Sequence, residues 1–307
     1  MPLRRAAPTL LLFCLISLGL SSCAVSRGIK RLGKSAAQPL VTADKATLVA
    51  IIARNFNLIR DFNATVDMTP ALGSAEKNKI TEYKDVRAHI LFRRPADIRI
   101  LGLYPVVRGT AFDMVSNGSD FKLSIPSQNR FLVGRNEIEQ RSERKLENLR
   151  PQHFLEALMV RPVADADRVL MENFTDEEDA FYILNEVQDN GGGQLLLKRA
   201  IWFSRLNLSI ARQLIFDDAG NILSDTRYDQ WRYFDSAPFA KHIEINRPQD
   251  EYGVVVDVVK MDINKGVTND KFVLNQPEGS TLQLVGQAPP PAPPAPASPP
   301  RKKNRQQ

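Results

Sequence analysis

The chain has 307 residues, 43% of them hydrophobic and 25% charged, and a formal net charge of +6. Ten of the 41 basic residues lie near the two termini, so residues 44–286 hold 31 basic residues against 35 acidic ones. This mildly acidic body excludes a folded basic face of the kind that binds nucleic acid, despite the sequence pI of about 9.3.

The first 22 residues are typical of a bacterial lipoprotein signal peptide. Arg4 and Arg5 precede an apolar run over residues 10–20 that is too short to span a bilayer, and Leu20-Ser21-Ser22-Cys23 forms a lipobox. We expect Cys23 to become the first mature residue and to carry the acyl chains of a membrane anchor. The alternative is an ordinary signal peptide with an incidental cysteine. No cysteine follows Cys23, which excludes an intramolecular disulfide in the mature chain.

Two segments flank the body of the mature chain. Residues 23–41 are predicted to be a lipidated basic tether, whose charges suit an anionic membrane surface, although a merely soluble linker is equally compatible with them. Residues 287–307 consist almost wholly of Pro, Ala, Ser and basic residues. Such a tail cannot bury apolar area, so we expect it to be disordered, and it is a candidate for recruiting a protein partner.

Residues 42–286 carry the hydrophobic patterns of a folded domain. Thr42 is a candidate N-cap for a helix over about residues 43–60, in which apolar residues recur at helical spacing. From Asp61 the period changes to two, as in half-buried strands. Strands are predicted over residues 61–68, 83–92, 98–103, 109–116, 120–124 and 130–134.

A second helix is predicted over residues 151–160, and another series of strands follows it. These strands cover residues 180–187, 195–203, 209–216, 222–233, 242–246 and 253–264, and the domain is expected to close near 272–274. A sheet of this many strands has to curl or close, and two amphipathic helices need an apolar surface to cover. The fold class is therefore mainly β (α+β), a curled antiparallel incomplete barrel whose interior is either solid or hollow.

The sequence offers little for catalysis. The three histidines, His89, His153 and His242, do not stand at metal-ligand spacing, and no nucleophile motif is present. The glycine run at residues 191–193 lies between strands and is typical of a hairpin turn. We therefore predict no catalytic site, no metal and no cofactor, and a lipid-active enzyme is the least favoured alternative.

Five segments, taken in order, carry a family resemblance. They are Asp61–Val66 after the first helix, Phe92–Arg99, Val115–Leu123 with Pro126, Pro151–Leu155, and Asn269–Leu274 with Pro277-Glu278-Gly279. Together they resemble the LolA/LolB-like superfamily of outer-membrane lipoprotein-sorting proteins, and most closely its lipid-anchored members of the domain-of-unknown-function type. The resemblance covers about residues 44–286. The chain departs from the carriers in its longer second half and its proline-rich tail.

The resemblance implies an incomplete barrel with an N-terminal and a mid-chain helix as a lid over an apolar cavity. It also implies a membrane-anchored envelope lipoprotein that binds acyl chains of lipoproteins or lipids, for lipoprotein sorting or lipid transfer, without being an enzyme. Ala24, rather than Asp, follows Cys23, which by family analogy favours the outer membrane facing the periplasm. The alternative function is a non-catalytic envelope scaffold with a solid barrel that recruits partners through its proline-rich tail.

Two sets of residues are candidates for lipid contacts. Strand alternation places a first set on single faces of their strands, as a cavity wall or as ordinary core; these are Phe62, Val66, Ile90, Phe92, Ile98 and Ile100. The apolar stretch 101–107 contains Gly and Pro, which break strand pairing. By the family analogy, Leu103 and Tyr104 would lie at the tip of a membrane-facing loop, unless they belong to the core of a bulged strand.

Overall fold

The computed structural model describes residues 39–74, 79–82, 85–104, 109–137, 148–176 and 178–285. The signal peptide (1–22), the lipidation site Cys23, nearly all of the tether (23–41) and the tail (287–307) lie outside these residues. Within the described part of the chain, no helix combines the length and hydropathy that a membrane crossing needs.

Helix α1 spans Lys45–Leu58 and begins two residues later than the sequence predicted. Its N-cap is Asp44, whose side chain accepts a hydrogen bond of 2.8 Å from the backbone N–H of Thr47. Thr42 is therefore not the cap, because the carboxylate two residues later reaches the third N–H of the helix. Leu48 and Ile52 are buried on the inner side of α1.

The strands follow from the alternation of apolar and polar residues, which matches the period of the pleat. Before the second helix they are β1 Asp61–Ser74, β2 Lys79–Glu82, β3 Val86–Arg93, β4 Asp97–Leu103, β5 Thr110–Ser116, β6 Asp120–Ile125 and β7 Arg130–Arg135. Helix α2 is Pro151–Leu158. After it come β8 Arg168–Thr175, β9 Ala180–Asp189, β10 Leu195–Ser204, β11 Ile210–Phe216, β12 Ile222–Phe234, β13 Ala237–Arg247, β14 Tyr252–Ile263 and β15 Thr281–Val285.

All of these strands belong to one sheet, in the order β15-β7-β6-β5-β4-β3-β1-β14-β13-β12-β11-β10-β9-β8, with β2 beside the end of β1. The two series of strands are joined because β14 returns to pair with β1, with Phe62 opposite Ile263. Among the described strands, β8 and β15 do not pair with each other, so the sheet is unclosed.

The sheet curls around α2. This helix contacts β4, β5 and β13, and β4 and β13 are four steps apart in the sheet. Four steps of about 4.8 Å make roughly 19 Å, whereas an eight-residue helix is only about 12 Å long. A curled sheet brings both strands to the helix, so the mainly β architecture with a curled, unclosed sheet and two helices is confirmed.

The last strand differs from the prediction. The sequence predicted that the domain closes near residues 272–274 and that the sheet is antiparallel, but the closing strand lies elsewhere and one pair of strands is parallel. Asn269–Phe272 form a 3₁₀ helix on the outer face, where the side chains of Arg99 and Lys122 donate to the carbonyls of Lys271 and Leu274 at 2.8 and 3.2 Å. The edge is instead closed by β15, which lies parallel to β7.

The outer face carries a histidine between two carboxylates. His242 Nδ1 lies 2.8 Å from Asp257 Oδ1, and its Nε2 lies 3.3 Å from Glu244 Oε1. The hydrogen bond with Asp257 raises the pKa of His242, partial burial opposes this rise, and Glu244 adds to it. Both carboxylates favour the imidazolium form of His242.

A pH dependence of stability follows from this geometry. A group whose pKa is raised on folding stabilises fully below its unfolded pKa of about 6.5, and this contribution is lost as the pH rises through the folded pKa. We expect the His242→Gln variant to be less stable than the parent at pH 5.5, with a smaller difference at pH 8.5. Urea unfolding at both pH values measures it, and an equal difference at both would contradict the ion pairing.

Candidate functional site

A cavity of about 580 Å³ lies on the concave face of the sheet. It is at the end of the sheet where β1, β4 and β6 finish and β3, β5 and β14 begin. Its volume is within the range of roughly 300–1,000 Å³ that is common for ligand sites. The principal lining side chains are Met68, Leu72, Val86, Phe112, Met114, Leu123, Ile125, Phe154, Tyr252 and Val254.

The interior of this cavity is mainly apolar, and its exposed polar side chains lie at the rim. Asp85 and Gln128 are exposed, and Tyr104 is 39% exposed. The carboxylate of Asp85 accepts a hydrogen bond of 2.6 Å from the hydroxyl of Thr69. The described wall therefore suits a hydrocarbon chain inside and a polar group at the opening.

A buried polar cluster holds α2 beside the cavity. Arg247 Nη2 lies 3.0 Å from His153 Nε2. Because a guanidinium only donates, Nε2 of His153 is the acceptor and the ring proton of the neutral imidazole lies on Nδ1. That proton is donated to the hydroxyl of Tyr252 at 2.7 Å, and Arg247 also donates to Asp250 at 2.9 Å. Burial raises the pKa of Tyr252, which stays a neutral phenol. The cluster thereby fixes α2, which carries Phe154, against β13 and β14.

One wall side chain depends on a glycine in the neighbouring strand. Gly102 of β4 is opposite Phe112 of β5. A Cβ atom added to Gly102 would lie 2.3 Å from Cε1 of Phe112, so the ring occupies the space that a side chain would take. The absence of a side chain at Gly102 sets how far the Phe112 ring reaches into the cavity.

The Gly102→Val variant tests this arrangement. The new side chain is expected to push the Phe112 ring into the cavity, which weakens fatty-acid binding and costs about 1–3 kcal/mol of stability through overpacking. Fluorescent fatty-acid titration and urea unfolding measure the two effects. The double variant Gly102→Val with Phe112→Ala is the control, since it removes the clashing ring. Failure of the double variant to recover binding would contradict the explanation.

The structure places the six residues of the first candidate set in the hydrophobic core. Phe62, Val66, Ile90 and Phe92 are each 1% exposed, and Ile98 and Ile100 are fully buried. They lie on the concave face, but the cavity is lined by residues further along the same sheet. Contact between these six side chains and a ligand stays a prediction.

The two loop candidates lie at the edge of the described chain. Leu103 is the last residue of β4 and is half-buried. Tyr104 follows the strand, donates its backbone N–H to the carbonyl of Gly109 at 2.9 Å, and lines the cavity. Residues 105–108 lie outside the described residues, so the membrane-facing loop also stays a prediction.

Few of the described side chains are arranged for metal binding or catalysis. Where the chain is described, no three His, Cys, Asp or Glu side chains come together in the way that a metal site requires. His153 is committed to Arg247 and Tyr252, and His89 lies 3.3 Å from the hydroxyl of Thr65.

Comparison with known proteins identifies fold neighbours only. No family model and no curated protein matches the sequence. A DUF1329 family protein from Desulfovibrio piger is similar in structure, with a TM-score of 0.50, 14% identity, and coverage of 74% of this chain and 95% of that chain. A LolA superfamily protein from Nitrosomonas europaea has a TM-score of 0.47, 14% identity, and coverage of 74% and 97%.

A third neighbour is a domain from Vibrio parahaemolyticus described as an outer membrane lipoprotein-sorting protein, with a TM-score of 0.44, 15% identity, and coverage of 74% and 94%. At these identities the similarity concerns the fold alone. The chain is thus similar in fold to the DUF1329 family structure, and its structural neighbours include the superfamily that the sequence resembles.

Proposed function

We propose that this protein is a membrane-anchored bacterial envelope lipoprotein that binds acyl chains of lipoproteins or lipids. Its role would be lipoprotein sorting or lipid transfer, without catalysis. The observation that carries the proposal is the apolar cavity of about 580 Å³ on the concave face of the curled sheet. The fold similarity to a DUF1329 family structure supports the curled-sheet fold in which this cavity lies.

The driving force for binding would be hydrophobic, at about 0.8 kcal/mol for each methylene group removed from water. A bilayer interior offers an acyl chain nearly the same gain. Exchange between the cavity and a membrane is therefore close to balanced, as reversible transfer requires. Phe154 on α2 contributes to the wall, so α2 is the described element that could act as a lid.

The proposed anchor is acylated Cys23, followed by the basic tether and located at the outer membrane facing the periplasm. The lipobox and the basic residues after it support the anchor, and Ala24 after Cys23 favours the outer membrane by family analogy. The proposed membrane contact is the rim that includes Leu103 and Tyr104, because Tyr104 joins the exposed surface to the cavity lining.

The Leu103→Glu variant tests the rim. A carboxylate at this position is expected to slow lipid transfer to vesicles severalfold while leaving the melting temperature within a few degrees, because Leu103 is only half-buried. Transfer of a fluorescent lipid to vesicles is the measurement. A collapsed fold would assign Leu103 to the core, and unchanged transfer would remove it from the membrane contact.

Titration of the Cys23→Ala chain with a fluorescent fatty acid tests the proposed function itself. We expect saturable binding at one site, with blue-shifted emission from an apolar environment. Unlabelled acyl chains should displace the probe. A chain that ignores the probe would contradict the proposal and turn attention to the scaffold alternative.

A further inference from the structure

Strand β8 forms one free edge of the sheet. It pairs with β9 on one side, and no described strand pairs with its other side. Its register with β9 runs over all 8 residues without a bulge, and it contains no Pro, Gly or Lys. Bulges, prolines and lysines are among the devices with which soluble proteins block an edge strand. The edge of β8 is therefore regular and open to a further strand.

The turn after β8 shows which of its backbone groups point away from β9. The N–H of Asp176 donates to the carbonyl of Asp179 at 3.0 Å, so the backbone of Asp176 is directed toward β9. Because this direction alternates along a strand, the N–H and carbonyl groups of Val169 and Met171 point to the free edge. Lys45 Nζ, from α1, reaches the carbonyl of Val169 at 3.3 Å, in agreement with this direction.

Two charged residues on the outer face of β8 make no ion pair with the described residues. Arg168 and Glu172 are exposed and stand on either side of Leu170, which is 58% exposed. Within the sheet, Arg168 is opposite Val187 and Glu172 is opposite Ile183, so β9 offers neither of them a counter-charge. The order of a positive, an apolar and a negative residue on one face is complementary to itself when the strand direction is reversed.

We propose that β8 pairs with β8 of a second copy of this chain in a two-fold dimer. With Leu170 opposite Leu170 of the second copy, Arg168 of each chain is opposite Glu172 of the other. In this register Val169 of each chain exchanges backbone hydrogen bonds with Met171 of the other. A shift of two residues would place a charge opposite Leu170, and a shift of four would place like charges opposite each other. The charges thus select one register, in which the two concave faces continue into each other.

The other free edge of the sheet fits β8 less well. Strand β15 has 5 residues, Thr281–Val285, and none of them is charged. It would leave Arg168 and Glu172 without counter-charges. Pairing of β8 with β15 would also be head-to-tail, which builds rings or open filaments instead of a closed dimer. The inference of a two-fold dimer goes beyond the proposed acyl-chain function and does not rest on it.

Sedimentation velocity of the mature chain with Cys23→Ala, over a range of concentrations, tests the pairing. We expect a reversible equilibrium between monomer and dimer. The Arg168→Glu and Glu172→Arg variants should each weaken dimerisation by about tenfold, because each places like charges opposite each other twice in the dimer. Both residues are exposed, so the variants should fold. Glu278→Arg is the matched control, since it makes the same charge change at an exposed position before β15 and should leave the dissociation constant unchanged.

The two variants provide a second test when they are combined. An equal mixture of Arg168→Glu and Glu172→Arg chains should form a heterodimer about as tight as the parent dimer, because every opposed pair then has opposite charges. A chain with both substitutions should also dimerise like the parent. These recoveries depend on the proposed register.

A parent chain that stays monomeric would overturn the proposal, as would single variants that dimerise like the parent or a mixture that does not recover. Assemblies that keep growing with concentration would also overturn it, since they would indicate pairing of β8 with β15. Fatty-acid binding should be the same in the parent and the variants, so it reports separately on the proposed function.

Discussion

The Val86→Trp variant is expected to bind a fluorescent fatty acid at least tenfold more weakly than the parent chain. Val86 is half-buried at the start of β3, opposite Met68, and both side chains line the apolar cavity. An indole ring at this position would fill space that the acyl chain needs. Tenfold corresponds to about 1.4 kcal/mol, less than the gain from burying two methylene groups.

The fold should tolerate this substitution because the cavity of about 580 Å³ has room for the ring. We expect the melting temperature to change by a few degrees at most. Val259→Trp is the matched control, since Val259 is 47% exposed on the opposite face of β14. An unchanged dissociation constant for Val86→Trp would mean that the acyl chain does not occupy this cavity.

The Phe62→Ala variant is expected to lose about 3–5 kcal/mol of unfolding free energy. Phe62 is 1% exposed, and its ring centroid lies 5.3 Å from that of Phe92 and 5.9 Å from that of Phe239. These rings come from β1, β3 and β13, so the cluster joins the two series of strands. Removing the central ring leaves a void that the closed packing cannot fill.

Urea unfolding at neutral pH measures this loss. Val273→Ala is the control, because Val273 is 53% exposed and should change stability by less than about 0.5 kcal/mol. If Phe62→Ala cost less than about 1 kcal/mol and abolished fatty-acid binding, Phe62 would be a ligand contact rather than a core residue. That result would restore the first candidate set as the cavity wall.

Most of the sheet could be predicted because its strands keep a strict apolar alternation. In β3, for example, Ala88, Ile90 and Phe92 are buried while the residues between them are partly exposed. The strands at the two edges of the sheet were predicted less well. β8 was not predicted because it is an edge strand. It leaves apolar residues such as Leu170 exposed, at 58%, so its sequence lacks a clear alternation of apolar and polar residues. β15 was missed because a parallel partner reached through a long connection leaves no hairpin signal.

The position of the cavity could not be predicted from the sequence, for a physical reason. Alternation tells which side chains share a face, but it does not tell which part of that face a helix covers. Ile100 and Met114 are directly opposite each other on neighbouring strands, yet only Met114 lines the cavity. Gly102, an isolated glycine in a strand, was the available signal of a close approach, although its partner Phe112 could only be identified from the register.

Acyl chains bound on the concave face should stay with the protein when it is purified. The deciding measurement is native mass spectrometry of a signal-less Cys23→Ala chain purified from cells, followed by solvent extraction. We expect a co-purifying acylated species that is lost in the Val86→Trp variant. A clean mass of the chain alone, together with no binding of added fluorescent fatty acid, would contradict it.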